Sequence, residues 1–313
     1  MKAIALISGG LDSALAAKIV LEQGIQVIGL FAKTPFLKRE PAVKISENLG
    51  IPLHVVETGE DYLNMILHPV FGYGKALNPC IDCHIFFLKI AKELMVKEGA
   101  SFVVTGEVVG QRPMSQRPET IKLIEREAGL EGLVLRPLSA GLLPPSRPEE
   151  EGWVDRKKLF AIKGRGRKIQ LSLAEKFSLK DYSPPAGGCL LTEPLYARKL
   201  RDLINYGEFN TENINLLRIG RHFRLPHGAK LILGRDEAEN KFLVENQKNW
   251  LVMEALEVPS PIGLFRGSAE DLLFAVSILL TYSDAAGSGR VKAGNTVMEA
   301  RAMDKGEIEK WRI

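Results

Sequence analysis

The chain has 313 residues, of which 45% are hydrophobic, and its formal net charge is +4. This length exceeds the usual single domain, so we expect two domains, each with its own core. The small net charge excludes neither acidic nor basic partners. The sequence has no apolar run of about eighteen residues, and its apolar N-terminal stretch of about five residues leads into a glycine turn, which excludes a membrane span and a secretory signal. We therefore expect a soluble, cytoplasmic protein without a membrane partner.

A phosphate-binding turn is predicted directly after the first strand. The apolar run that begins at Met1 stops at Ser8, two glycines follow, and a helical pattern begins after Asp12. Glycines let the backbone turn and approach a ligand closely, and the new helix offers unpaired N–H groups that attract phosphate. No Lys-Ser or Lys-Thr pair follows the glycines, so the turn is not a Walker P-loop. The candidate phosphate-binding residues are Ser8, Gly9, Gly10, Asp12 and Ser13.

The first half of the chain alternates between strand and helix patterns. This alternation predicts an α/β fold, a parallel, doubly wound sheet with right-handed crossovers. Ligands of such sheets bind at the carboxyl ends of the strands, so we expect Ser8, Phe31 and Thr105 to converge on one crevice. Predicted strands lie near residues 2–7, 25–31, 53–56 and 101–105, and predicted helices near 11–24, 38–49 and 82–98.

A polar, glycine-rich segment follows the fourth predicted strand. Its position at the carboxyl end of a strand predicts contact with a nucleotide or a substrate, whereas an ordinary surface turn is the alternative. The candidate nucleotide-binding residues of this segment are Thr105, Gly106, Glu107 and Gln111.

Two of the three cysteines lie at the start of a predicted helix. Pro79 interrupts the preceding structure, and a new helix is predicted to start near Asp82. Cys80 and Cys83 are therefore both placed at the N-terminus of this helix. The helix dipole is expected to lower the pKa of these thiols and favour thiolates, which bind metals and attack sulfur. Cys189 follows about a hundred residues later, after a turn rich in Pro and Gly. An odd number of cysteines in a reducing compartment argues for metal or redox chemistry rather than disulfides.

Positive charge is concentrated in a basic linker over residues 155–180. Residues 156–180 carry nine Lys or Arg against one acid, Glu175. Cations with so few carboxylates beside them attract a polyphosphate backbone, although a solvated helix and turn is the alternative interpretation. The candidate RNA-binding residues are Lys163, Arg165, Arg167 and Lys168.

The pattern changes near residue 193, where mixed helices and strands replace the regular alternation. We therefore predict two domains, residues 1–192 and an α+β domain over residues 193–313. Several cations crowd the start of the second domain and are expected to extend the basic surface. They are Arg218, Arg221, Arg224, Lys230 and Arg235.

Three motifs together resemble the tRNA-thiolating branch of the ATP pyrophosphatases, also called PP-loop enzymes, over residues 1 to about 192. Ser8-Gly-Gly-Leu-Asp-Ser13 matches the SGGxDS loop of that superfamily. Thr105-Gly-Glu-Val-Val-Gly-Gln111 resembles a stretch of the tRNA 4-thiouridine synthetases, and Asn78-Pro-Cys-Ile-Asp-Cys83 resembles one of the tRNA 2-thiouridylases. Residues 231–240 resemble the RNA-binding module of the ribosome-quality-control factors. The 4-thiouridine synthetases carry an RNA-binding region ahead of the loop, whereas here the loop starts at residue 8, so RNA capture is expected from the linker and the C-terminal half.

The resemblance implies an enzyme that binds ATP and Mg²⁺, adenylates a uridine carbonyl oxygen of tRNA with release of pyrophosphate, and replaces AMP with sulfur. Asp12 would help to organise Mg²⁺. In several members three cysteines bind a [4Fe-4S] cluster whose fourth iron is free to hold sulfide, and here these would be Cys80, Cys83 and Cys189. The implied partners are tRNA and a sulfur donor, either sulfide or a persulfide carrier, and a homodimer is also allowed.

Other interpretations remain open at this point. The chain could be a small-molecule amidating or nitrile-forming ligase of the same superfamily, with a structural zinc on the three cysteines and His84. Two of the cysteines could instead form a catalytic pair in which one carries a persulfide and the other resolves it as a disulfide. A non-catalytic, nucleotide-regulated RNA-binding protein is the remaining class.

Overall fold

A computed structural model describes residues 1–183 and 189–313, so the turn before Cys189 lies outside the described residues. The chain divides into two compact units, residues 1–193 (unit 1) and 194–313 (unit 2). Among the described residues, no helix is long and apolar enough to cross a membrane.

Unit 1 is built on a five-stranded sheet in the order β3-β2-β1-β4-β5. Every neighbouring pair of its strands is parallel, which confirms the predicted α/β fold. The order reverses at β1, whose two neighbours β2 and β4 lead to opposite edges of the sheet. A crevice forms outside the carboxyl ends of the strands at such a reversal, so the segments after β1 and β4 share it. The strands are β1 (Lys2–Leu6), β2 (Gln26–Lys33), β3 (Leu53–Glu57), β4 (Phe102–Val104) and β5 (Val134–Leu135).

Helices cover both faces of this sheet. Side chains alternate between the faces of a strand, and in β1 Ala3 and Ala5 join one buried cluster while Ile4 joins the other. The first cluster contains residues of α1 and α7, and the second contains residues of α4 and α5. The sheet is therefore doubly wound, as predicted. The helices are α1 (Leu11–Leu21), α2 (Glu40–Leu49), α3 (Gly59–Leu67), α4 (Cys80–Glu98), α5 (Pro118–Ala128), α6 (Arg147–Glu150) and α7 (Lys168–Lys176).

Unit 2 contains a six-stranded sheet in the order β11-β10-β8-β9-β7-β6, in which all neighbours are antiparallel. The apolar helix α11 packs on one face, and a smaller cluster around Trp250 and Leu243 covers the other. This arrangement confirms a separate C-terminal domain. Its elements are α8 (Pro194–Asn205), α9 (Thr211–Leu216), β6 (Arg221–Arg224), β7 (Lys230–Leu233), α10 (Glu237–Glu245), β8 (Leu251–Ala255), β9 (Gly263–Arg266), α11 (Ala269–Thr281), β10 (Ser288–Ala293), β11 (Thr296–Arg301) and α12 (Lys305–Ile308).

Candidate active site

The predicted phosphate-binding turn, residues 8–13, joins β1 to α1. Ser13 donates a hydrogen bond to the Gly10 carbonyl at 2.8 Å, and its Oγ lies 3.2 Å from that of Ser8. Gly9 has φ of +81°, and a Cβ there would overlap Pro41, so both the backbone conformation and the packing require glycine. Among the residues that the structure describes, no side chain caps the N-terminus of α1. The turn thus presents the positive end of a helix beside two hydroxyls.

Asp12 is the charged centre of this turn. Its Oδ2 accepts hydrogen bonds from Gln111 at 3.0 Å and from Arg167 at 2.8 Å. Its Oδ1 is buried and has no hydrogen-bond partner among the residues that the structure describes. A buried carboxylate oxygen with spare capacity fits Mg²⁺, which prefers oxygen ligands. The residues present therefore fit the magnesium ion that the sequence predicts.

The segment after β4 lies against this turn. A Cβ at Gly106 would collide with the backbone of Asp12 and Ser13, so the absence of a side chain allows the two segments to touch. Thr105 is buried and donates a hydrogen bond to Glu107 at 3.0 Å. Gly106 and Gln111 therefore contact the phosphate-binding turn itself, whereas Thr105 contacts Glu107.

Glu107 is the centre of a buried charge cluster behind the turn. It accepts a hydrogen bond from Arg136 at 2.8 Å, and His84 of α4 places its Nδ1 2.9 Å from the other carboxylate oxygen. Arg136 also pairs with Glu125. Burial acts to raise the pKa of Glu107, but Arg136 and then His84 lower it more, so this pKa lies well below its ordinary value. Glu107 therefore connects the nucleotide segment to the cysteine helix.

Phe31 lies at the end of β2 as expected, but its side chain is 1% exposed and packs in the core. The structure thus separates the candidate nucleotide residues into two groups. Ser8, Gly9, Gly10, Asp12, Ser13, Gly106 and Gln111 lie in or against the turn, and the side chains of Phe31, Thr105 and Glu107 lie behind it.

The three cysteines are neighbours in unit 1. Cys80 begins α4, Cys83 follows in its first turn, and Cys189 is the first described residue after the gap. Burial raises the pKa of Cys83 well above its ordinary value, the nearby hydroxyl of Tyr62 lowers it by less, and Cys189 and Cys80 raise it further. The expectation of a lowered pKa is therefore wrong for Cys83, because burial outweighs the helix dipole.

Two polar side chains contact these thiols. The hydroxyl of Tyr62 lies 3.3 Å from Sγ of Cys83, and the Asn78 amide donates a hydrogen bond to Sγ of Cys80 at 3.2 Å. In residues 1–183 and 189–313, no three His, Cys, Asp or Glu side chains are arranged to hold a metal ion. The donor chemistry nevertheless fits an iron–sulfur cluster, whose irons are bound by cysteine thiolates. The zinc alternative would need Nε2 of His84 as fourth ligand, because its Nδ1 faces Glu107.

The basic linker is packed onto unit 1 rather than free. The Gly164 amide donates a hydrogen bond to the Val109 carbonyl at 2.8 Å, and Ser139 bonds both Val109 and Ile162. Lys163, Arg165 and Lys168 are exposed on this segment. Arg167 is only partly exposed and pairs with Asp12. Of the four candidate RNA-binding cations, three are therefore exposed and one, Arg167, points into the candidate active site.

Two of the predicted surface cations of unit 2 are neutralised inside the unit. Lys230 is 1% exposed and pairs with Asp202, and Arg224 pairs with both Asp202 and Glu208. The expectation that Arg224 and Lys230 extend a basic surface is therefore wrong, because acids from α8 and the segment after it reach them. Arg235 is half-exposed and pairs with Glu239.

One group of cations in unit 2 remains crowded. Burial lowers the pKa of Lys199 to about 8, and the positive charges of Arg235, Lys230 and Arg312 lower it further. Arg235 and Arg312 also keep carboxylate partners of their own, Glu239 and Glu309. We call Lys199, Arg235 and Arg312 the unit 2 basic group.

Several residues of the site were not identified from the sequence. Tyr62 lies on α3, which was not predicted, and Arg136 and Ser139 act through partners distant in the chain. Asn78 is the exception, because it is part of the cysteine motif. Its amide lies two residues before Cys80, and this spacing could have indicated a contact with the thiol.

Two family comparisons match separate parts of the chain. Residues 1–141 match the family described as thiamine biosynthesis protein (ThiI), and residues 220–312 match the NFACT protein RNA binding domain. The tRNA-specific 2-thiouridylase MnmA of Flavobacterium johnsoniae is 35% identical over 121 residues, 32% of this chain and 30% of that protein. The protein of the same name from Syntrophotalea carbinolica is 36% identical over 114 residues, 32% of each. The chain therefore spans about a third of the length of these curated relatives.

Solved structures give weaker matches. A predicted subunit of tRNA methyltransferase from Methanocaldococcus jannaschii is 19% identical with a TM-score of 0.33, over 44% of this chain and 69% of that one. A 4-thiouridine synthetase in complex with RNA and ATP is 23% identical with a TM-score of 0.37, over 56% of this chain and 49% of that one. The family matches confirm both resemblances in the sequence: residues 1–141 are similar to the ThiI family and residues 220–312 to the NFACT protein RNA binding domain.

Proposed function

We propose that this protein is an ATP-dependent tRNA sulfurtransferase that adenylates a uridine carbonyl oxygen and replaces that oxygen with sulfur. One observation carries the proposal: the segment after β4 links the phosphate-binding turn to α4, the helix that carries Cys80 and Cys83, because its Glu107 pairs with His84 of α4. In the same segment, Gly106 packs against Asp12 of the turn. The residues proposed for nucleotide chemistry and those proposed for sulfur chemistry therefore belong to segments that contact one another. The matched 2-thiouridylases support the same activity.

The nucleotide half of the site suits transfer of AMP. The N-terminus of α1 and the hydroxyl of Ser8 bind the terminal phosphates of ATP, which leave as pyrophosphate when a uridine oxygen attacks the α-phosphorus. Ser13 holds the turn through its hydrogen bond to the Gly10 carbonyl. Asp12 would hold Mg²⁺ through the buried Oδ1, and the ion would supply charge neutralisation for the phosphates.

The sulfur half of the site consists of Cys80, Cys83 and Cys189, which we propose as ligands of a [4Fe-4S] cluster. Such a cluster would supply an open iron that binds sulfide, with sulfide or a persulfide carrier as donor. Tyr62 and Asn78 hold the Cys83 and Cys80 thiols through the contacts described above, at 3.3 and 3.2 Å.

Two sets of cations suit the backbone of tRNA. Lys163, Arg165 and Lys168 are exposed in unit 1, and the unit 2 basic group lies in or beside the NFACT-like domain. Phosphate contacts from Lys and Arg supply most of the affinity for nucleic acid without reading its sequence. We propose that both sets hold tRNA.

The reaction is tested with purified protein, tRNA and labelled ATP. We expect AMP and pyrophosphate in amounts that match the thiolated uridine found by mass spectrometry of tRNA nucleosides. Asp12→Ala should abolish both products while Glu40→Ala, which removes an exposed acid, should not. ADP and orthophosphate as products, or unchanged tRNA nucleosides in cells that lack the gene, would contradict the proposal.

The cluster is tested by anaerobic purification followed by iron and sulfide analysis. We expect about four irons per chain, and loss of the cluster on changing any of Cys80, Cys83 or Cys189 to Ala. A colourless, fully active protein that contains zinc or no metal would favour the zinc or disulfide alternatives instead.

A further inference from the structure

Arg167 lies in the candidate active site although it belongs to a segment whose composition predicts RNA binding. Its Nη2 donates a hydrogen bond to Oδ2 of Asp12 at 2.8 Å. Gln111 donates to the same oxygen at 3.0 Å, so two side chains from distant segments converge on one carboxylate. The neighbouring cations Arg165 and Lys168 are exposed instead. Arg167 is thus set apart from the other cations of residues 163–168 by its surroundings.

The position of Arg167 is fixed by the backbone on both sides. Before it, Gly164 donates to the Val109 carbonyl at 2.8 Å, and Ser139 anchors Ile162. After it, α7 begins at Lys168 and belongs to the same buried cluster as α1. A side chain held between two anchored segments loses little further freedom when it binds a ligand.

The Arg167–Asp12 pair is partly open to solvent, because the two side chains are 28% and 13% exposed. Among the residues that the structure describes, only Nη2 of the guanidinium has a partner. Arginine has five N–H donors in a planar fork that matches phosphate oxygens, so this guanidinium has donors for a phosphate while it keeps Asp12.

We propose that Arg167 binds the β- and γ-phosphates of ATP and stabilises the pyrophosphate as it leaves. This inference rests on the proposed function and adds a residue to its nucleotide site. Asp12 and Gln111 hold the guanidinium at the start of α1, where the turn receives the phosphates. Arg167 is then a phosphate-binding residue of the enzyme and not a contact for the tRNA backbone.

The proposed reaction develops negative charge on the pyrophosphate, the group that Arg167 is proposed to bind. The uridine oxygen forms a bond to the α-phosphorus while the bond from that phosphorus to the bridging oxygen breaks. The electron pair of the broken bond stays on the pyrophosphate, which gains negative charge. A guanidinium that binds this group stabilises the transition state more than the ground state, because the charge on the pyrophosphate is larger there.

The inference is tested by calorimetric titration of the full chain with Mg·ATP and with Mg·AMP. Arg167→Ala should weaken binding of ATP by about 10- to 100-fold, the range for charge-assisted hydrogen bonds, and leave AMP binding unchanged. Arg167→Lys retains a point charge without the fork and should show an intermediate loss, which keeps the test valid should the alanine variant fold poorly. Arg147→Ala removes a cation that is 59% exposed on α6 and is the matched control, with unchanged ATP binding.

A filter-binding titration with tRNA on the same variants separates the two roles. We expect Arg167→Ala to bind tRNA as the wild type does, and Arg165→Ala to bind it more weakly. Wild-type ATP affinity in Arg167→Ala, or an equal loss for ATP and AMP, would overturn the inference while leaving the proposed function intact. A wild-type chain that binds no Mg·ATP would overturn both.

Discussion

Two basic regions of this protein look alike in sequence and differ in structure. In residues 163–168 of unit 1, three of the four cations are exposed, and Arg167 alone meets a carboxylate. In the first part of unit 2, by contrast, Arg224 and Lys230 are buried against Asp202. A concentration of Lys and Arg thus yields an exposed cationic surface in one region and an internal ion-pair network in the other.

The difference teaches that partners distant in sequence decide whether a cation is available. Asp202 lies on α8, 22 residues before Arg224, and reaches it across unit 2. Burial raises the pKa of Asp202, but hydrogen bonds from Arg224 and Lys230 lower it more, so the carboxylate stays charged. An excess of Lys and Arg predicts a binding surface only where folding brings no acid to them.

The largest effect on stability is expected from breaking the ion-pair network of unit 2, which joins Asp202 to Arg224 and Lys230. Asp202→Ala leaves Arg224 and Lys230 with buried charges and too few acceptors. Removing one partner of a buried ion pair costs about 3–5 kcal/mol, so the free energy of unfolding should fall by about that amount. Urea denaturation followed by circular dichroism measures the change.

A control for this variant is Glu257→Ala, which removes the partner of an exposed Arg290. Exposed pairs contribute little, so its free energy of unfolding should stay within about 0.5 kcal/mol of the wild type. Equal effects of the two substitutions would show that Asp202 is no more important than a surface acid.

Unit 1 has its own buried cluster, and Glu107→Gln should break it with a smaller effect. The amide keeps the shape of the side chain, and Arg136 keeps Glu125, so we expect a loss of about 2–3 kcal/mol at pH 7. The pKa of Glu107 is lowered in the folded state from its ordinary 4.5. Its contribution is therefore fully present above about pH 4.5 and is lost as the pH falls below that value.

Urea denaturation at a series of pH values from about 6 to about 3 tests this sign. The stability of the wild type should fall more steeply with acid than that of Glu107→Gln, so the two curves approach each other at low pH. Glu93→Gln, on an exposed position of α4, should follow the wild-type curve. Parallel curves for Glu107→Gln and the wild type would contradict a lowered pKa.

The fold was predictable where burial leaves a continuous local pattern. Strands of a parallel sheet are covered on both faces, so β2 appears as an apolar run, predicted at 25–31 and observed at Gln26–Lys33. Helix α7 was not predicted, because the charged residues at its ends cannot be distinguished in sequence from the rest of the basic linker. Helix α3 is nine residues long, and its buried Tyr62 and Ile66 form too short a pattern to stand out.

The site was predictable only in its local motifs. The turn 8–13 and the cysteines are contiguous motifs, and their chemistry follows from the residue types. The contact between Asp12 and Arg167 joins residues 155 positions apart, and no local pattern reports such a pairing. The raised pKa of Cys83 also escaped prediction, because burial of one turn of a helix depends on what packs against it.

The smallest effect is expected from the exposed cations of unit 1, which concern affinity rather than folding. We expect the triple variant Lys163→Ala, Arg165→Ala and Lys168→Ala to keep the stability of the wild type, because these side chains are exposed. Each lost phosphate contact should reduce the slope of log K against log salt by about 0.7–0.9, so the slope should fall by about 2–3. Titration of tRNA at salt concentrations between about 50 and 200 mM measures this slope.

The control must remove the same charge from another surface of unit 1. Lys89, Lys97 and Arg126 are exposed on α4 and α5, and their replacement by Ala lowers the net charge by the same amount. If the cations of residues 163–168 touch phosphates directly, the control should keep the wild-type slope, because counterions are released only where contacts form. Equal slopes for the two triple variants would mean that tRNA responds to the overall charge of the protein. In that case the contrast between an exposed cationic surface in unit 1 and a neutralised network in unit 2 would not determine where tRNA binds.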